Sequence, residues 1–376
     1  MKKKLKIIIC SQEHPPIGSG IAFVVYNIAQ ELKNKNHDVK VISPVGPDIK
    51  LGNIKLIEKT GGIGLLLFWN DVAKYINQNG HKYDIIWTHN PLFLKKISAK
   101  NVINTTHTTY RERVKTLKGI YTPVKLRIYN RIMKFFEKKA YKKMKLFKFT
   151  VTSDLTKKEL FQLGIQKKFP KISNGVNLKI FNNKVSKEKI RLKLGIPLNI
   201  KILIYIARMM PQKNHLQLLN IFSKIEKKNK NIKLILVGDG PLLKKVKEII
   251  KKKRIKNVIL KGKINQKKLA LYCKCSDFFI SPSSYEGQPL SLLESLACGL
   301  IPIISKIPIF NHMINELNAG ILTDFTNKNT KKIYEYIENI NIPKTSKKIA
   351  NFIEKNYSWS TIADEYLEEF YKLNKK

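Results

Sequence analysis

Two glutamates at a defined spacing are the residues of this sequence best suited to chemistry. In the stretch SPSSYEGQPLSLLESLACGLIPIIS, residues 281–305, seven residues separate Glu286 from Glu294. Pro289 suits the first position of a helix, where its missing N–H costs nothing, and Gly299 is typical of a helix end. The free N–H groups at such a helix start attract a phosphate. Glu294 would lie roughly 7–8 Å along the helix axis, with Glu286 in front of the helix.

A ligand with an anionic middle and hydroxyl groups at both ends fits this arrangement. A nucleoside diphosphate sugar has that shape, with its ribose toward Glu294, its pyrophosphate at the helix start and its hexose toward Glu286, because a carboxylate accepts hydrogen bonds from a diol well. At the helix start we expect contacts from Gly287, Gln288, Pro289 and Leu290. The alternative, which the spacing alone would favour, is that Glu286 only complements the helix dipole and Glu294 is a solvated helix residue.

Two cations follow the strand that we predict at Ile202–Ala207. Arg208 and Lys213 would lie at the carboxyl end of this strand, where ligands bind in open α/β sheets. They can neutralise a pyrophosphate, and arginine can do so through two parallel hydrogen bonds. The alternative is a solvated pair of charges, since the chain holds 72 Lys and Arg residues. The position directly after a strand favours the phosphate-binding role.

Glycines follow three other predicted strands. Gly18-Ser19-Gly20 lies between the first strand and a helix, where glycine lets the backbone approach a phosphate closely. The segment is not a complete G-x-G-x-x-G, so it indicates a dinucleotide site only weakly. Gly238 opens a strand-to-helix turn that can approach the ribose or the base, and Gly262 follows the next strand.

Apolar runs that alternate with amphipathic segments predict the elements that hold these residues. Runs without internal alternation indicate strands covered on both faces, and repeated strand–helix order indicates parallel sheets. The predicted helices include Ile21–Asn34, Val124–Phe147 and a last helix that Ser360 can cap. The predicted strands are Leu5–Cys10, Val39–Ser43, Ile85–Thr88, Val102–Thr105, Lys148–Thr152, Ile202–Ala207, Lys233–Val237, Val258–Lys261, Phe278–Ser281 and Ile301–Ser305. The fold class is therefore α/β, with two doubly wound Rossmann-like domains that would face a central cleft.

Nine segments spread over the length of the chain resemble one family. They are PPIGSGIAFVVYNIAQELKNKNHDVKVIS, DIIWTHNP, VINTTHTTY, VTSDLTKKEL, KISNGVNLKIF, IYIARMMPQKNHLQLL, KLILVGDGPLLKKV, VILKGKINQKKLALYCKCSDFFISPS and YEGQPLSLLESLACGLIPI. Together they are similar to the retaining family-four glycosyltransferases (glycosyl transferases group 1), which have the GT-B fold. The resemblance implies an acceptor-side domain over 1–180, a nucleotide-sugar domain over 181–356, and a final helix, 357–376, that docks back on the first domain.

The resemblance also implies roles for individual residues. Arg208 and Lys213 would stabilise the departing nucleotide diphosphate, His107 would contact the transferred sugar, and Glu286 completes the catalytic set. Gly262 would hold the nucleotide base through the backbone. The family has adjacent glycines in the opening loop, so Ser19 between two glycines is a departure from its pattern. His89 follows the preceding strand, and we interpret it as a polar strand-end residue rather than a functional one.

The implied reaction moves a hexose-type sugar, with retention, from a nucleotide diphosphate sugar to a glycan or a lipid-linked acceptor, with UDP favoured over GDP. The sequence contains no Asp-x-Asp motif, which commonly holds the metal of metal-dependent glycosyltransferases. We therefore expect no metal and no cofactor. Two alternatives remain open: a sugar-nucleotide 2-epimerase of the same fold, and a non-catalytic protein that binds an anionic ligand.

The formal net charge of +45 has two interpretations. Lysine is spread along the whole chain, as an AT-rich genome would produce, or the excess binds an anionic partner. No nucleic-acid motif is recognisable, so nucleic acid is not expected. Residues 124–147 could lie on an anionic membrane, because one stripe is basic and another apolar. The basic stripe is Arg127, Arg131, Lys134, Lys138, Lys142 and Lys145, and the apolar stripe is Ile128, Ile132, Phe136, Ala140 and Met144. The alternative is a core helix with a solvated basic back.

The remaining features place the protein in a reducing compartment. Four cysteines are too few for a disulfide scaffold, and Cys273-Lys-Cys275 lacks a second pair at zinc spacing. The first apolar run is too short for a signal peptide, and no stretch of ~18 apolar residues could span a membrane. We expect a cytoplasmic protein, or one held at the inner face of the plasma membrane.

Overall fold

A computed structural model describes residues 3–18, 20–60, 62–110, 112, 122–165 and 169–374. The chain forms two compact units. Unit 1 comprises Met1–Gly175 and Trp359–Lys376, and unit 2 comprises Val176–Ser358. The chain therefore passes from unit 1 to unit 2 after residue 175, where the sequence suggested 180, and returns after 358, where the sequence suggested 356.

Unit 1 is built on a parallel six-stranded sheet with the order β3-β2-β1-β4-β5-β6. Its strands are β1 Lys6–Ser11, β2 Asp38–Ser43, β3 Ile49–Lys50, β4 Ile85–His89, β5 Val102–Thr106 and β6 Lys148–Val151. Its first helices are α1 Gly20–Asn34, α2 Ile54–Thr60, α3 Gly62–Asn79, α4 Pro123–Lys143 and α5 Asp154–Gln162, with a 3₁₀ turn at Gly80–Lys82. The central strands are buried along their length, as unbroken apolar runs predict.

Unit 2 repeats this design with the strand order β12-β11-β10-β7-β8-β9, again parallel. Its strands are β7 Lys201–Ile206, β8 Ile232–Val237, β9 Val258–Leu260, β10 Phe278–Ser281, β11 Ile301–Ile304 and β12 Ile321–Leu322. Its helices are α6 Lys187–Lys193, α7 His215–Lys228, α8 Leu243–Lys252, α9 Gln266–Cys275, α10 Leu290–Ala297, α11 Pro308–Leu317, α12 Thr330–Asn339 and α13 Ile342–Asn356. Two 3₁₀ turns lie at Pro211–Lys213 and Asn327–Asn329. The predicted fold class, two doubly wound α/β domains, is confirmed.

The last helix, α14 Trp359–Asn374, packs on unit 1. Its Tyr366 and Phe370 lie against the Trp87 ring of β4, with ring centroids 4.4 and 5.1 Å from it. The helix begins at Trp359, so Ser360 lies inside the first turn and does not cap it. Helix α14, from the C-terminal part of the chain, thus completes the core of unit 1, whose other elements all precede unit 2 in the sequence.

A buried arginine joins the starts of strands β7 and β10 in unit 2. The Arg191 guanidinium donates to Asp277 Oδ2 (2.7 Å) and to the carbonyl oxygens of Cys275 and Ile200 (both 2.9 Å). Asp277 Oδ2 also accepts the Ile202 N–H (2.8 Å). A buried ion pair is tolerated when its remaining hydrogen-bonding capacity is satisfied in this way. These bonds hold the start of β10 beside β7 and so fix where the loops after both strands emerge.

Candidate active site

The loops that follow four neighbouring strands of unit 2 are hydrogen-bonded to one another. The strands are β10, β7, β8 and β9, adjacent in that order. Three backbone bonds connect their loops: Ser284 N–H to Gln212 O (2.9 Å), Met209 N–H to Asp239 O (2.8 Å) and Gly238 N–H to Gly262 O (2.8 Å). The sequence prediction put phosphate-, ribose- and base-binding residues on these same loops. The structure thus brings the predicted residues of unit 2 to one edge of one sheet.

Lys213 and Glu286 form an ion pair across two of these loops. Lys213 Nζ lies 2.5 Å from Glu286 Oε1, and the two side chains are only 18% and 10% exposed. The Tyr205 hydroxyl fixes the loop below them, because it donates to the Lys213 carbonyl oxygen (2.8 Å) and bonds with Ser283 Oγ (2.9 Å). The sequence assigned Lys213 to the diphosphate and Glu286 to the hexose of a ligand. In the structure, these two charges compensate each other.

Arg208 differs from Lys213 in having no ion pair. Its side chain is exposed directly after β7, and no carboxylate of the described residues lies within ion-pair distance of it. Its backbone is held firmly, because the neighbouring Met209 donates to Asp239 O and accepts from Leu242 N–H (3.1 Å). An exposed cation on a fixed loop is suited to receive an anionic ligand.

Glu294 is buried in α10, so the alternative of a solvated helix residue is wrong. Burial raises the pKa of Glu294 to about 7. The helix begins at Leu290, one residue later than predicted, and Pro289 precedes it as the N-cap in an extended conformation. Proline has no side-chain acceptor, so the N–H groups of Leu290 and Ser291 are left for water or a ligand, whereas the Leu292 N–H donates to the Pro289 carbonyl oxygen (3.2 Å). Gly287 and Gln288 lie in the half-buried segment that leads into this helix start.

Gly238 and Gly240 allow two loops to touch. Their φ angles are +133° and +154°. A Cβ on Gly238 would lie 2.1 Å from the Ala207 carbonyl oxygen, and one on Gly240 would lie 2.7 Å from that of Met209. No side chain fits at such distances, so glycine at both positions is required by the close approach of the Arg208 loop.

Gly238→Ala should lower the transfer activity that the family resemblance implies, because it displaces the Arg208 backbone. We expect a loss of about 10-fold or more, since small displacements of charged groups near a reacting centre cost up to 10²-fold. The measurement is turnover of the donor together with the melting temperature. Gly195→Ala is the matched control, because Gly195 also has a positive φ (+64°) but open space around its Cβ position. Equal loss of activity in both variants would show that backbone strain alone, and not the position of Arg208, is responsible.

Two buried histidines lie together in unit 1. His89 ends β4 and His107 follows β5, and their rings are nearly parallel, 18° apart. His89 Nδ1 lies 3.0 Å from His107 Nε2. Burial lowers the pKa of His107 to about 4, and burial together with His107 lowers the pKa of His89 well below its usual value. The sequence interpretation singled out His107 and set His89 aside; the adjacency of their two strands in the sheet was the signal that could have joined them.

The opening glycine loop is tightly packed where it is described. Gly18 has a φ of +127°, and a Cβ there would lie 2.8 Å from Ala22 Cβ and 2.9 Å from Glu13 Cβ. Gly20 is the first residue of α1. Ser19, the predicted departure from the family pattern, lies outside the described residues. The loop thus meets the backbone requirement for glycine at Gly18, while its phosphate-binding role stays a prediction.

Two residues beside Lys213 were not identified from the sequence. Both ring nitrogens of His215 and the Gln212 side-chain oxygen are buried without a hydrogen-bond partner among the described residues. Burial and the charge of Lys213 lower the pKa of His215 to about 4, so it packs as a neutral ring against Tyr205, 4.7 Å between centroids. Gln212 and His215 thus lie in the same short segment as Lys213, whose side chain forms the ion pair with Glu286.

No three His, Cys, Asp or Glu side chains of the described residues are grouped as metal ligands. No helix in the described part of the chain has both the length and the apolar character to cross a membrane.

The fold and the residues at its sheet edges define a two-domain GT-B protein. Among solved structures, sucrose-phosphate synthase from Thermosynechococcus elongatus has this fold, with a TM-score of 0.74, 17% identity, and coverage of 98% of this chain and 99% of that one. The family model of Glycosyltransferase Family 4 matches residues 18–180, and that of Glycosyl transferases group 1 matches 186–359. The chain belongs to this family of glycosyltransferases.

Two curated relatives illustrate the family. The alpha-monoglucosyldiacylglycerol synthase of Acholeplasma laidlawii is 26% identical, with 99% of each chain covered. The UDP-Gal:alpha-D-GlcNAc-diphosphoundecaprenol alpha-1,3-galactosyltransferase of Escherichia coli is 31% identical over 49% of this chain and 47% of its own length.

Proposed function

We propose that this glycosyltransferase moves a hexose-type sugar, with retention and without a metal, from a UDP-sugar to a lipid-linked or glycan acceptor of the cell envelope. The observation that carries the proposal is the single edge of the unit 2 sheet where Arg208, the Lys213–Glu286 pair and the start of α10 lie on connected loops. The activities named for the two relatives support the hexose, the UDP donor and the lipid acceptor.

The proposed reaction breaks the bond between the anomeric carbon and the phosphate oxygen. Negative charge develops on that oxygen, and preorganised cations and N–H groups are typically the largest source of its stabilisation. Arg208, Lys213 and the first N–H groups of α10 supply them here. The acceptor hydroxyl attacks from the same face, its oxygen forms the new bond to the anomeric carbon, and its proton passes to the departing phosphate.

Donor binding would replace the Lys213–Glu286 ion pair with contacts from each residue to the ligand. A bound diphosphate would draw the Lys213 ammonium toward itself, and the Glu286 carboxylate would then accept hydrogen bonds from the sugar hydroxyls. Lys213 keeps an anionic partner at each stage, and Glu286 exchanges an ion pair for hydrogen bonds, which matters because a buried charge without either is costly. Glu294, deeper in α10, would accept from the ribose.

A donor screen followed by product analysis tests the proposal. The protein is mixed with UDP-glucose, UDP-galactose or GDP-mannose, in the presence of EDTA and with diacylglycerol dispersed in vesicles. The products are identified by mass spectrometry and by proton NMR, because an epimerised donor has the same mass as the original one. We expect transfer, or slow donor hydrolysis without acceptor. An isomerised donor sugar would instead identify a 2-epimerase, loss of activity in EDTA would contradict metal independence, and unchanged donors throughout would favour a non-catalytic binding protein.

The first half of α4 supports a second part of the proposal, attachment to the anionic inner face of the plasma membrane. The predicted apolar stripe divides in the structure: Ala140 and Met144 are buried in the core, whereas Ile128 and Ile132 are 57% and 47% exposed. Val124 and Phe135 extend the exposed apolar surface. Exposed Arg127, Arg131, Lys134 and Lys138 flank it. An apolar strip edged by cations is typical of a helix lying in a lipid interface.

Ile128→Ser/Ile132→Ser should weaken membrane binding roughly tenfold or more, because two half-exposed isoleucines would otherwise bury apolar surface in lipid. The measurement is sedimentation with vesicles of phosphatidylglycerol and, separately, phosphatidylcholine, at low and high salt. We expect binding to the anionic vesicles only, weakened by salt. Leu198→Ser, at a 50% exposed leucine of unit 2, is the control and should bind as the unmodified protein does. Absence of binding to either vesicle would contradict the membrane proposal.

A further inference from the structure

The His89–His107 contact carries information about where the protons of these rings lie. His89 Nδ1 and His107 Nε2 are 3.0 Å apart, a hydrogen-bond distance, so one nitrogen carries a proton and the other accepts it. Both rings are neutral near pH 7, since burial lowers the pKa of each. Each ring therefore has a single N–H, and fixing the donor fixes both tautomers.

The other nitrogen of His89 indicates which ring donates. His89 Nε2 is buried without a hydrogen-bond partner among the described residues. If His107 donated, the single proton of His89 would lie on Nε2, as a buried N–H with no acceptor. Orphaned buried N–H groups are rarer than unpaired acceptors. The favoured arrangement therefore puts the proton of His89 on Nδ1, from which it is donated to His107 Nε2.

This arrangement determines the free nitrogen of His107. With Nε2 accepting, the proton of His107 lies on Nδ1. That nitrogen has no partner among the described residues, and it is not among the fully buried unpaired nitrogens. The backbone of His107 is held in place, because its backbone N–H donates to Asn90 Oδ1 (2.8 Å) and its carbonyl oxygen accepts from Thr156 Oγ1 (3.1 Å), and the His89 contact holds the ring. His107 thus presents one N–H in a fixed direction.

We propose that His89 is a positioning residue that holds His107 as the neutral, Nδ1-protonated imidazole, so that its N–H donates to a hydroxyl oxygen of the transferred sugar. The contact to sugar rests on the proposed function; the tautomer does not. His89 is itself fixed by Trp87, whose ring lies 4.6 Å from it and whose Nε1–H donates to Thr105 Oγ1 (2.8 Å). An imidazolium at His107 would need a counter-charge that neither of these contacts supplies.

Nitrogen-15 NMR of histidine-labelled protein tests the tautomer directly. The chain has seven histidines, and spectra of His89→Leu and His107→Leu assign the two signals. We expect protonated Nδ1 and bare Nε2 on both rings in the unmodified protein, and a mixture of tautomers on His107 in His89→Leu. A protonated Nε2 on His107 in the unmodified protein would overturn the proposal, whatever reaction the protein catalyses.

Kinetics of three variants test the positioning role. His89→Leu removes the hydrogen-bond donor and should lower kcat/KM for the sugar nucleotide roughly 2- to 10-fold, because only the fraction of molecules that keeps the His107 Nδ1 proton can donate to the sugar. His89→Asn supplies an amide N–H near the place of Nδ1 and should restore most of this loss. His37→Leu is the control, because it also removes a buried imidazole from unit 1 but does not touch the His89–His107 pair. The contact that it removes is the hydrogen bond from the Leu5 N–H to His37 Nδ1 (3.1 Å).

The outcomes separate failure of this inference from failure of the proposed function. Unchanged kcat/KM in His89→Leu, or an equal loss in His37→Leu, would show that His89 does not act through His107. Absence of transfer by the unmodified protein with every donor would overturn the proposed function, and the NMR result would still decide the tautomer.

Discussion

Arg208→Ala should lower turnover about 100- to 1,000-fold, the usual cost of removing one group that stabilises charge on a leaving oxygen. Arg208 is exposed, lies on a loop fixed by its neighbours, and has no carboxylate partner among the described residues. Its removal therefore leaves no buried charge behind, and the melting temperature should change little. The measurement is donor turnover at saturating acceptor, with unfolding followed in parallel.

Two companion variants sharpen this prediction. Arg208→Lys keeps the charge but loses the planar two-bond geometry, so its activity should fall between that of the alanine variant and the unmodified protein. Lys227→Ala removes an exposed cation on α7 and should have no effect. Near-normal turnover of Arg208→Ala would remove the proposed account of leaving-group stabilisation. Lys213→Ala is a less direct test, because it also leaves the Glu286 carboxylate without its partner.

Glu294→Gln should make unit 2 more stable at pH 8 than the unmodified protein, although it removes a proposed ribose contact. Burial raises the pKa of Glu294 from 4.5 to about 7. As the pH rises through this window, the unfolded chain loses its proton before the folded one does, so the free energy of unfolding falls. At about 1.4 kcal/mol per pH unit the loss is on the order of 3 kcal/mol, complete above pH 7.

The pH dependence distinguishes this effect from an ordinary change in packing. The melting temperatures of the two proteins should be similar near pH 4.5 and should differ by roughly 6–12 °C at pH 8. Glu354→Gln, at an exposed glutamate of α13, is the control and should show no such divergence. The same difference at both pH values would mean that Glu294 does not ionise with a raised pKa. A functional carboxylate held in a poorly solvated place is a known reason why stability and activity oppose each other.

The strands were the most predictable part of this protein, whereas their order in each sheet comes from the structure. All ten predicted strands are present to within one residue at each end, because unbroken apolar runs of this length have few other uses. The two-residue strands β3 and β12 were missed, since two residues carry no pattern. Helix α4 ends at Lys143, before the predicted Phe147, and beyond its end Met144 and Phe147 are buried in the core.

The candidate site was predictable in composition but not in its pairings. Position after a strand selected Arg208, Glu286 and His107 only together with the resemblance to the family, and their functional roles stay predictions. The Lys213–Glu286 ion pair and the His89–His107 hydrogen bond depend on side-chain direction across loops that are distant in sequence, which residue spacing does not encode. The burial of Glu294 likewise depends on which face of α10 meets the sheet, and an eight-residue helix carries too few turns for the sequence to decide this.

The position of α14 on unit 1 has a consequence for how the protein is made. Domains generally fold in the order in which they leave the ribosome. Here the sheet that contains Trp87 emerges early, but the helix that covers it with Tyr366 and Phe370 emerges only after all of unit 2. Unit 2 can therefore reach its native state while unit 1 still exposes the aromatic surface around Trp87. During translation, a chaperone would be expected to bind at that surface.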